Sequence, residues 1–261
     1  MKRLTALLLI LFVSGAAFAA SPDTLRDGGR GPVATIIDAD TIRLKGGKAD
    51  VRLVGIQGPK LPLGRKGFAK WPLADEARAA LAELLKGHEV TLRLGATAQD
   101  RNGRTLAHLV RDDGLWIQAE MLRQGWARVY TFPDNRQLAA ELFMAEVEAR
   151  AAKSGIWADA AYAVRAADPA ILPKDAGTFQ IVEGRVMSAA KVQGRVYLNF
   201  GADYKSDVTA TIAPEAIGFF ARDKTDPLTF KDRVVRVRGY VRNYNGPVID
   251  ITHPEQIELI P

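Results

Sequence analysis

The sequence predicts an α+β protein, mainly strands with a few helices, built as two β-rich domains. Three observations predict it. Short runs of apolar and β-branched residues recur along the chain, bounded by Gly, Pro, Asn and Asp turn signals. Helical periodicity is confined to three segments in the first part and one in the second. Between the two parts, residues 159–177 are rich in Ala, Pro and Asp with weak periodicity, which reads as a linker. The domain plan is therefore a leader over 1–19, a first domain over 32–158, the linker, and a small β-rich domain over 178–261. No internal sequence repeat stands out.

The leader has a basic start (Lys2, Arg3), an apolar run from Leu7 to Val13 and the small-x-small site Ala17–Phe18–Ala19, the pattern of a secretory signal. The apolar run is shorter than the roughly 20 residues a membrane span needs, and no later stretch is apolar enough to cross, so stable membrane insertion is not expected. The expected location is secreted or periplasmic. The chain has no cysteine, which excludes a disulfide framework and N-terminal lipidation at Cys. His88, His108 and His253 are scattered without zinc-ligand spacing. A hard cation held by oxygen ligands remains open. The net charge of +6 falls by two on removal of the leader; the surplus lies in residues 20–167, while 168–261 are balanced. Such a surplus permits an anionic partner without requiring one.

The first domain opens with strand patterns at "PVATIID", "DTIRLK" and "ADVRLVGI", the last two parted by a Gly-Gly turn. A loop over 58–72 carries Pro59, Pro62, Gly64, Gly67 and Pro72 together with Lys60, Arg65, Lys66 and Lys70. A helix follows: Pro72 suits its first turn, Asp75 and Glu76 its positive end, Leu73, Ala77, Leu81 and Leu84 its apolar face, and Gly87 its stop. "EVTLRL" is a strand, "DRNG" a turn into the next strand, and "DDG" a second turn. "WIQAEMLRQG" is a short helix ended by Gly125, "ARVYTF" is extended, and "NRQLAAELFMAEVEARAAKSG" is a long helix closed by Gly155. In the second domain "FQIVEGRVMSAAKVQGRVYLNFG" reads as strand and hairpin, and "APEAIGFFARD" as a helix. "RVVRVRGYVR" and "PVIDIT" read as a hairpin across Asn-Gly. Five or so strands and one helix suggest an oligonucleotide/oligosaccharide-binding (OB) type of barrel, with a small sandwich as the competing arrangement.

"IIDADTIRL", "RLVGI", "DRNGRTLA", "LRQGWARVY" and "SGIW", in that order and spacing, resemble the staphylococcal nuclease (thermonuclease) family over roughly residues 32–158. The resemblance implies a five-stranded OB-type barrel with three helices and a calcium-dependent phosphodiesterase of DNA and RNA. It places the first metal aspartate on Asp40, with Asp38 kept beside it, and the phosphate arginines on Arg52 and Arg104. Two guanidiniums can fork onto phosphate oxygens and stabilise charge at phosphorus.

The other family positions differ. The second metal aspartate falls on Gln57, which offers only a neutral carbonyl oxygen, and the catalytic glutamate falls on Lys60. An ammonium cannot accept a proton from water at neutral pH, and general base work is typically worth about 10²- to 10⁴-fold in rate. The base-stacking tyrosine falls on Asn102, leaving Tyr130 and Phe132 as the stacking surface and Arg101 as a further substrate contact. Trp71, Phe68 and the loop lysines form either a basic-aromatic lip over the pocket or a solvated loop. Lys60 is expected to set its charge where a cation would sit, pairing with Asp40 and making the site independent of metal. Calcium is therefore expected to bind weakly or not at all. In the second domain Arg236, Arg238, Tyr240 and Arg242 alternate and share one strand face, which reads as a single-strand-binding face or an ordinary solvated one.

Three functions stay in view: an exported protein binding nucleic acid or another anionic polymer with weak or lost hydrolysis, an active calcium-dependent endonuclease, and a structural or protein-interaction module of the envelope.

Overall fold

The computed structural model describes residues 21–260, so the export signal read over 1–19 lies outside the described residues. The first unit runs β1 (Arg26–Asp38), β2 (Thr41–Leu44), β3 (Val51–Leu53), β4 (Gly55–Gln57), α1 (Ala74–Leu85), β5 (Glu89–Leu94) and β6 (Thr105–Arg111). It continues with α2 (Ile117–Arg123), β7 (Arg128–Tyr130) and α3 (Ala139–Ala151). Strands β1, β2, β3, β6 and β5 close a barrel in that order. All pairs are antiparallel except β3 with β6, and α1 lies between β3 and β5 in the chain. The barrel fills because alternate positions of its strands point inward: Val90, Leu92 and Leu94 of β5 are buried while Glu89, Thr91 and Arg93 are half-buried. The core adds Ile42, Leu53, Leu81, Met121 and Leu142, each contributing about 1.5–3 kcal/mol by burial.

Two local details differ from the sequence pattern. "ADVRLVGI" is not one strand. Gly55 takes a positive φ of 82°, so the chain leaves the barrel after Leu53 and β4 pairs instead with β7. A side chain at Gly55 would strike Leu142 of α3. Helix α1 begins at Ala74, two residues after Pro72, because Leu73 adopts a left-handed conformation and Pro72 stays outside. Gly125 and Gly155, at the ends of two helical segments, press backbone against backbone: a Cβ on either would collide with the other segment, and the Ile156 N–H donates to the Gly125 carbonyl at 2.8 Å.

The second unit comprises β8 (Arg165–Ala166), β9 (Phe179–Arg185), β10 (Ser188–Val192), β11 (Arg195–Asn199), β12 (Thr209–Ile212), α4 (Pro214–Arg222), β13 (Val234–Asn243), β14 (Pro247–Ile251) and β15 (Ile257–Ile260). Its sheet runs β10-β11-β12-β14-β13-β9-β8, with β15 on β13. Strands β9 and β10 are the two halves of one bent strand, paired at one end with β13 and at the other with β11. The sheet therefore curls back on itself. Its single parallel central pair is β12 with β14, and α4 precedes β13. This repeats the order of the first barrel, strand for strand, which is the OB arrangement.

Residues 159–177 are ordered against the rest of the chain. They contribute β8, which extends the second sheet, and the buried Tyr162 and Leu172. The Tyr162 hydroxyl donates to the Pro72 carbonyl at 2.6 Å. Tyr162 packs with Trp157 and Ile181, so this segment joins the two units through an apolar cluster of its own.

Arg238 is not on a solvated or ligand-binding face: that expectation is corrected by its position in the contact between the units, where it is 1% exposed. Its Nη1 donates to the Val129 carbonyl at 3.0 Å and its Nη2 to Glu146 of α3 at 3.0 Å, and Glu258 of β15 completes the cluster. Glu146 also accepts the Val129 N–H at 3.0 Å. The strand periodicity was right that Arg236, Arg238 and Tyr240 share a face; at Arg238 that face meets the first barrel. Arg236 pairs with Glu183 at 2.6 Å. Around this center lie Arg136 with Glu255 and Asp223, and the Thr131–His253 hydrogen bond of 2.7 Å.

Candidate nucleic-acid cleft

Where β1 ends, the chain turns through Asp38-Ala39-Asp40, and the loop after β4 folds back over it. Asp40 is wholly buried. It accepts the Gly58 N–H at 2.8 Å and a Thr41 hydroxyl at 3.2 Å, and lies 3.0 Å from Arg52 Nη1. A side chain at Gly58 would meet Ala39, so only glycine lets this loop approach closely enough for that bond. Lys60 places its ammonium against Asp40 and 3.3 Å from Asp38. The pairing expected between Lys60 and Asp40 is present, with Asp38 as a second partner.

Burial opposes ionisation of Asp40, but Arg52 and then Lys60 outweigh it and hold the carboxyl well below its ordinary range. Asp38 moves the other way: burial and the adjacent Asp40 charge raise it, and Lys60 only partly compensates. The two carboxylates thus have opposed proton affinities.

Arg52 serves the protein as much as any ligand. Its Nη1 faces the Asp40 and Leu53 carbonyls at 3.0 and 2.8 Å in addition to the Asp40 carboxylate, and its Nη2 donates to the Ile56 carbonyl at 2.7 Å. With five N–H groups in all, Nε and one Nη2 hydrogen remain for an anion. Arg104 follows the turn that Asp100 organises, where Asp100 accepts the backbone N–H groups of Asn102 and Arg104. Its guanidinium pairs with Asp100 at 2.7 Å and is about one-third exposed. Arg101 is exposed on the same turn.

The Gln57 side-chain oxygen is engaged by Arg128: Oε1 accepts from Nε and Nη2 of Arg128 at 3.0 and 2.8 Å. Arg128 is buried, under Phe179 at 4.6 Å and beside Tyr162 and Trp71 at 5.7 and 5.9 Å. Burial brings its pKa down to about 10. Sequence reasoning missed Arg128, although its place two residues before Tyr130 on one strand face pointed inward.

These residues meet at a cleft of about 980 Å³ that includes Asp38, Arg52, Lys60, Arg101, Arg104 and Tyr130, together with Arg65, Phe132 and Tyr240. Tyr130 is half-buried, edge-on to Phe132 at 4.9 Å. Burial, then the neighbouring Tyr240 hydroxyl, push its phenol up. Of the 58–72 loop, Lys60, Leu63 and Arg65 reach the cleft. Trp71 packs against the Trp157–Tyr162 cluster instead.

A hard dication wants several anionic oxygens converging on one point. Here Asp38 and Asp40 already share the Lys60 ammonium, the Gln57 oxygen is held by Arg128, and among the described residues no group of three or more His, Asp or Glu side chains converges to hold a metal. The residues present do not fit a calcium site.

The chain is thus an OB-type barrel protein with arginines and aromatic rings lining one cleft. The staphylococcal nuclease homologue family matches residues 50–159. A 132-residue stretch is 30% identical to an uncharacterized endonuclease of Escherichia coli O157:H7, covering 50% of this chain and 78% of that protein. The chain belongs to the staphylococcal nuclease family. An uncharacterized protein of Bacillus anthracis is 35% identical over 137 residues, 49% of this chain and 60% of its own length. Endonuclease YhcR of Bacillus subtilis is 28% identical over 136 residues, 49% of this chain and 11% of its own. The matched stretch therefore spans less than two thirds of each of these last two relatives. Family membership supports nucleic-acid binding or nuclease chemistry as the functional class. The family is typically calcium-dependent.

Proposed function

We propose that this chain is an exported protein, periplasmic or secreted, that binds nucleic acid through its phosphates and hydrolyses it slowly or not at all. One observation carries the reading: the Lys60 ammonium lies between Asp38 and Asp40. At the position where the family resemblance puts a base there is a cation, and the carboxylates that would attract a metal are neutralised. Phosphate binding does not depend on that base. Arg104, Arg101, Arg65 and the remaining donors of Arg52 supply positive charge along one cleft, and such contacts release counterions on binding.

A second reading is favoured by Asp38. Its raised pKa and its place on the cleft wall suit a general base or acid without a metal, and two of the relatives above carry endonuclease in their names. On this reading the chain is a phosphodiesterase with a displaced base.

A cleavage assay on single-stranded DNA with and without calcium, run beside a binding titration, separates the two. The first reading expects salt-sensitive binding without appreciable cleavage by the wild type, and a gain of calcium-stimulated cleavage in Gln57→Asp/Lys60→Glu. The second expects wild-type cleavage without calcium that Asp38→Asn abolishes. Strong, equal activity of the wild type and the double variant would refute a disabling role for Lys60.

A further inference from the structure

We propose that Tyr240 of the second barrel contacts the ligand directly, and that the ligand is a single-stranded polynucleotide held across the boundary between the two units. This rests on the reading of the cleft as a phosphate-polymer site and goes further by assigning it a strandedness and a second contributing domain.

The cleft is lined by two kinds of group: the cationic side chains of Arg52, Arg65, Arg101 and Arg104, and the rings of Tyr130, Phe132 and Tyr240. A chain of ring contacts crosses the boundary through the buried Phe179. Phe132 lies 4.9 Å from Tyr130, Tyr130 lies 4.9 Å from Phe179, and Phe179 lies 5.8 Å from Tyr240, all edge-on. Phe132 and Tyr240 at its ends are 50% and 47% exposed. Tyr130, Phe132 and Tyr240 also border a second, smaller groove, so they form a ridge with ring surface on both sides.

Interface packing alone does not account for Tyr240. Arg238, two residues earlier on the same strand face, is buried in the contact between the units, with both Nη atoms engaged there. The Tyr240 backbone pairs with Phe179, yet half of its side chain stays open at the cleft. The clamp on Arg238 fixes the strand, and the strand presents the ring.

Exposed rings and guanidiniums lining one cleft match the two parts of an unpaired nucleotide, base on aromatic and phosphate on arginine. In a duplex the base faces are already stacked and unavailable. The geometry therefore selects single strands.

The test is fluorescence anisotropy with labelled oligothymidylate and with a hairpin duplex of matched charge, using the full chain. The expected result is tighter binding of oligothymidylate than of the duplex. Tyr240→Ala and Tyr240→Leu should each weaken oligothymidylate about 5- to 100-fold, the range for losing one base stack, with less effect on the duplex, and Tyr240→Phe should restore it. Leu keeps the apolar bulk, so a loss in that variant reports the missing ring plane rather than misfolding. Binding unchanged in both variants while Arg104→Ala weakens it would overturn this inference and leave the phosphate reading standing. Preference for the duplex would overturn it as well. No binding of either oligonucleotide by the wild type would overturn both.

Discussion

Replacing Arg238 with methionine tests whether the two units are coupled by charge. The substitution keeps most of the aliphatic stem and removes the guanidinium, leaving Glu146 with no exposed surface. Glu146 then retains the Val129 N–H at 3.0 Å and a longer contact to Arg150 at 3.5 Å. The Val129 carbonyl loses its Nη1 donor, and Glu258 keeps Arg150 at 3.0 Å. Breaking a buried ion pair from one side typically costs about 3–5 kcal/mol. Because Arg150 partly compensates both carboxylates, the lower end, about 3 kcal/mol, is expected. For a chain of this size each kcal/mol moves Tm by about 2–4 °C, so Tm should fall by roughly 6–12 °C. Adding Glu146→Gln removes the stranded charge and should recover about half of the loss. Urea titrations of wild type, both single variants and the double variant measure the coupling directly. A loss below about 1 kcal/mol in Arg238→Met, or strict additivity in the cycle, would refute the claim that this buried cluster ties the units together.

Other expectations concern protons, salt and metal. His108 and His253 are buried and each is lowered to about 4, His108 by burial and His253 by burial and then Arg136. The unfolded chain binds more protons between pH 6.5 and 4, so stability should fall as pH drops through that window; denaturant titrations at both ends should show it, with a smaller fall in His108→Gln. Asp40, held below its ordinary range, contributes stability at neutral pH that is lost as pH falls below about 4; Asp38, held above its range, has the opposite sign, so Asp40→Asn should destabilise at pH 7 and Asp38→Asn should not. In oligonucleotide titrations, Arg104→Ala should reduce the slope of log K against log salt by about 0.7, one phosphate contact on a single strand. Calorimetry with calcium should give no binding heat with the wild type at micromolar to millimolar calcium, and a clear isotherm would contradict the fit argued from Lys60.

What the sequence revealed follows from which interactions are local. Strand alternation, the Asp100 turn and the glycine stops are written in neighbouring residues and reappear in the structure. The first barrel was legible on that basis, and the curled second sheet as an OB-type arrangement with a small sandwich as its alternative; so was the approach of Lys60 to Asp40 once the motifs were aligned. The break at Gly55 was not, because apolar alternation runs straight through it and only Leu142, far along the chain, explains the turn. Residues 159–177 lack periodicity because tertiary docking, such as Tyr162 on Pro72, orders them. Alternation placed Arg236, Arg238 and Tyr240 on one face but carried no information about what that face would meet. The hold of Arg128 on Gln57 joins residues 71 positions apart and leaves no local mark.

The shared cluster around Arg238 also bears on how the protein can be divided. The family match ends at residue 159, which suggests a natural cutting point, but a chain ending there would lose Arg238 from Glu146 and from the Val129 carbonyl. It would lose Tyr162 from Pro72 and Phe179 from the face of Arg128 as well. Val129 lies between the residue that holds Gln57 and the ring that lines the cleft. The recognisable half is thus not a portable cassette: grafted or expressed alone, it carries the motifs but not the bracing of the strand that presents them.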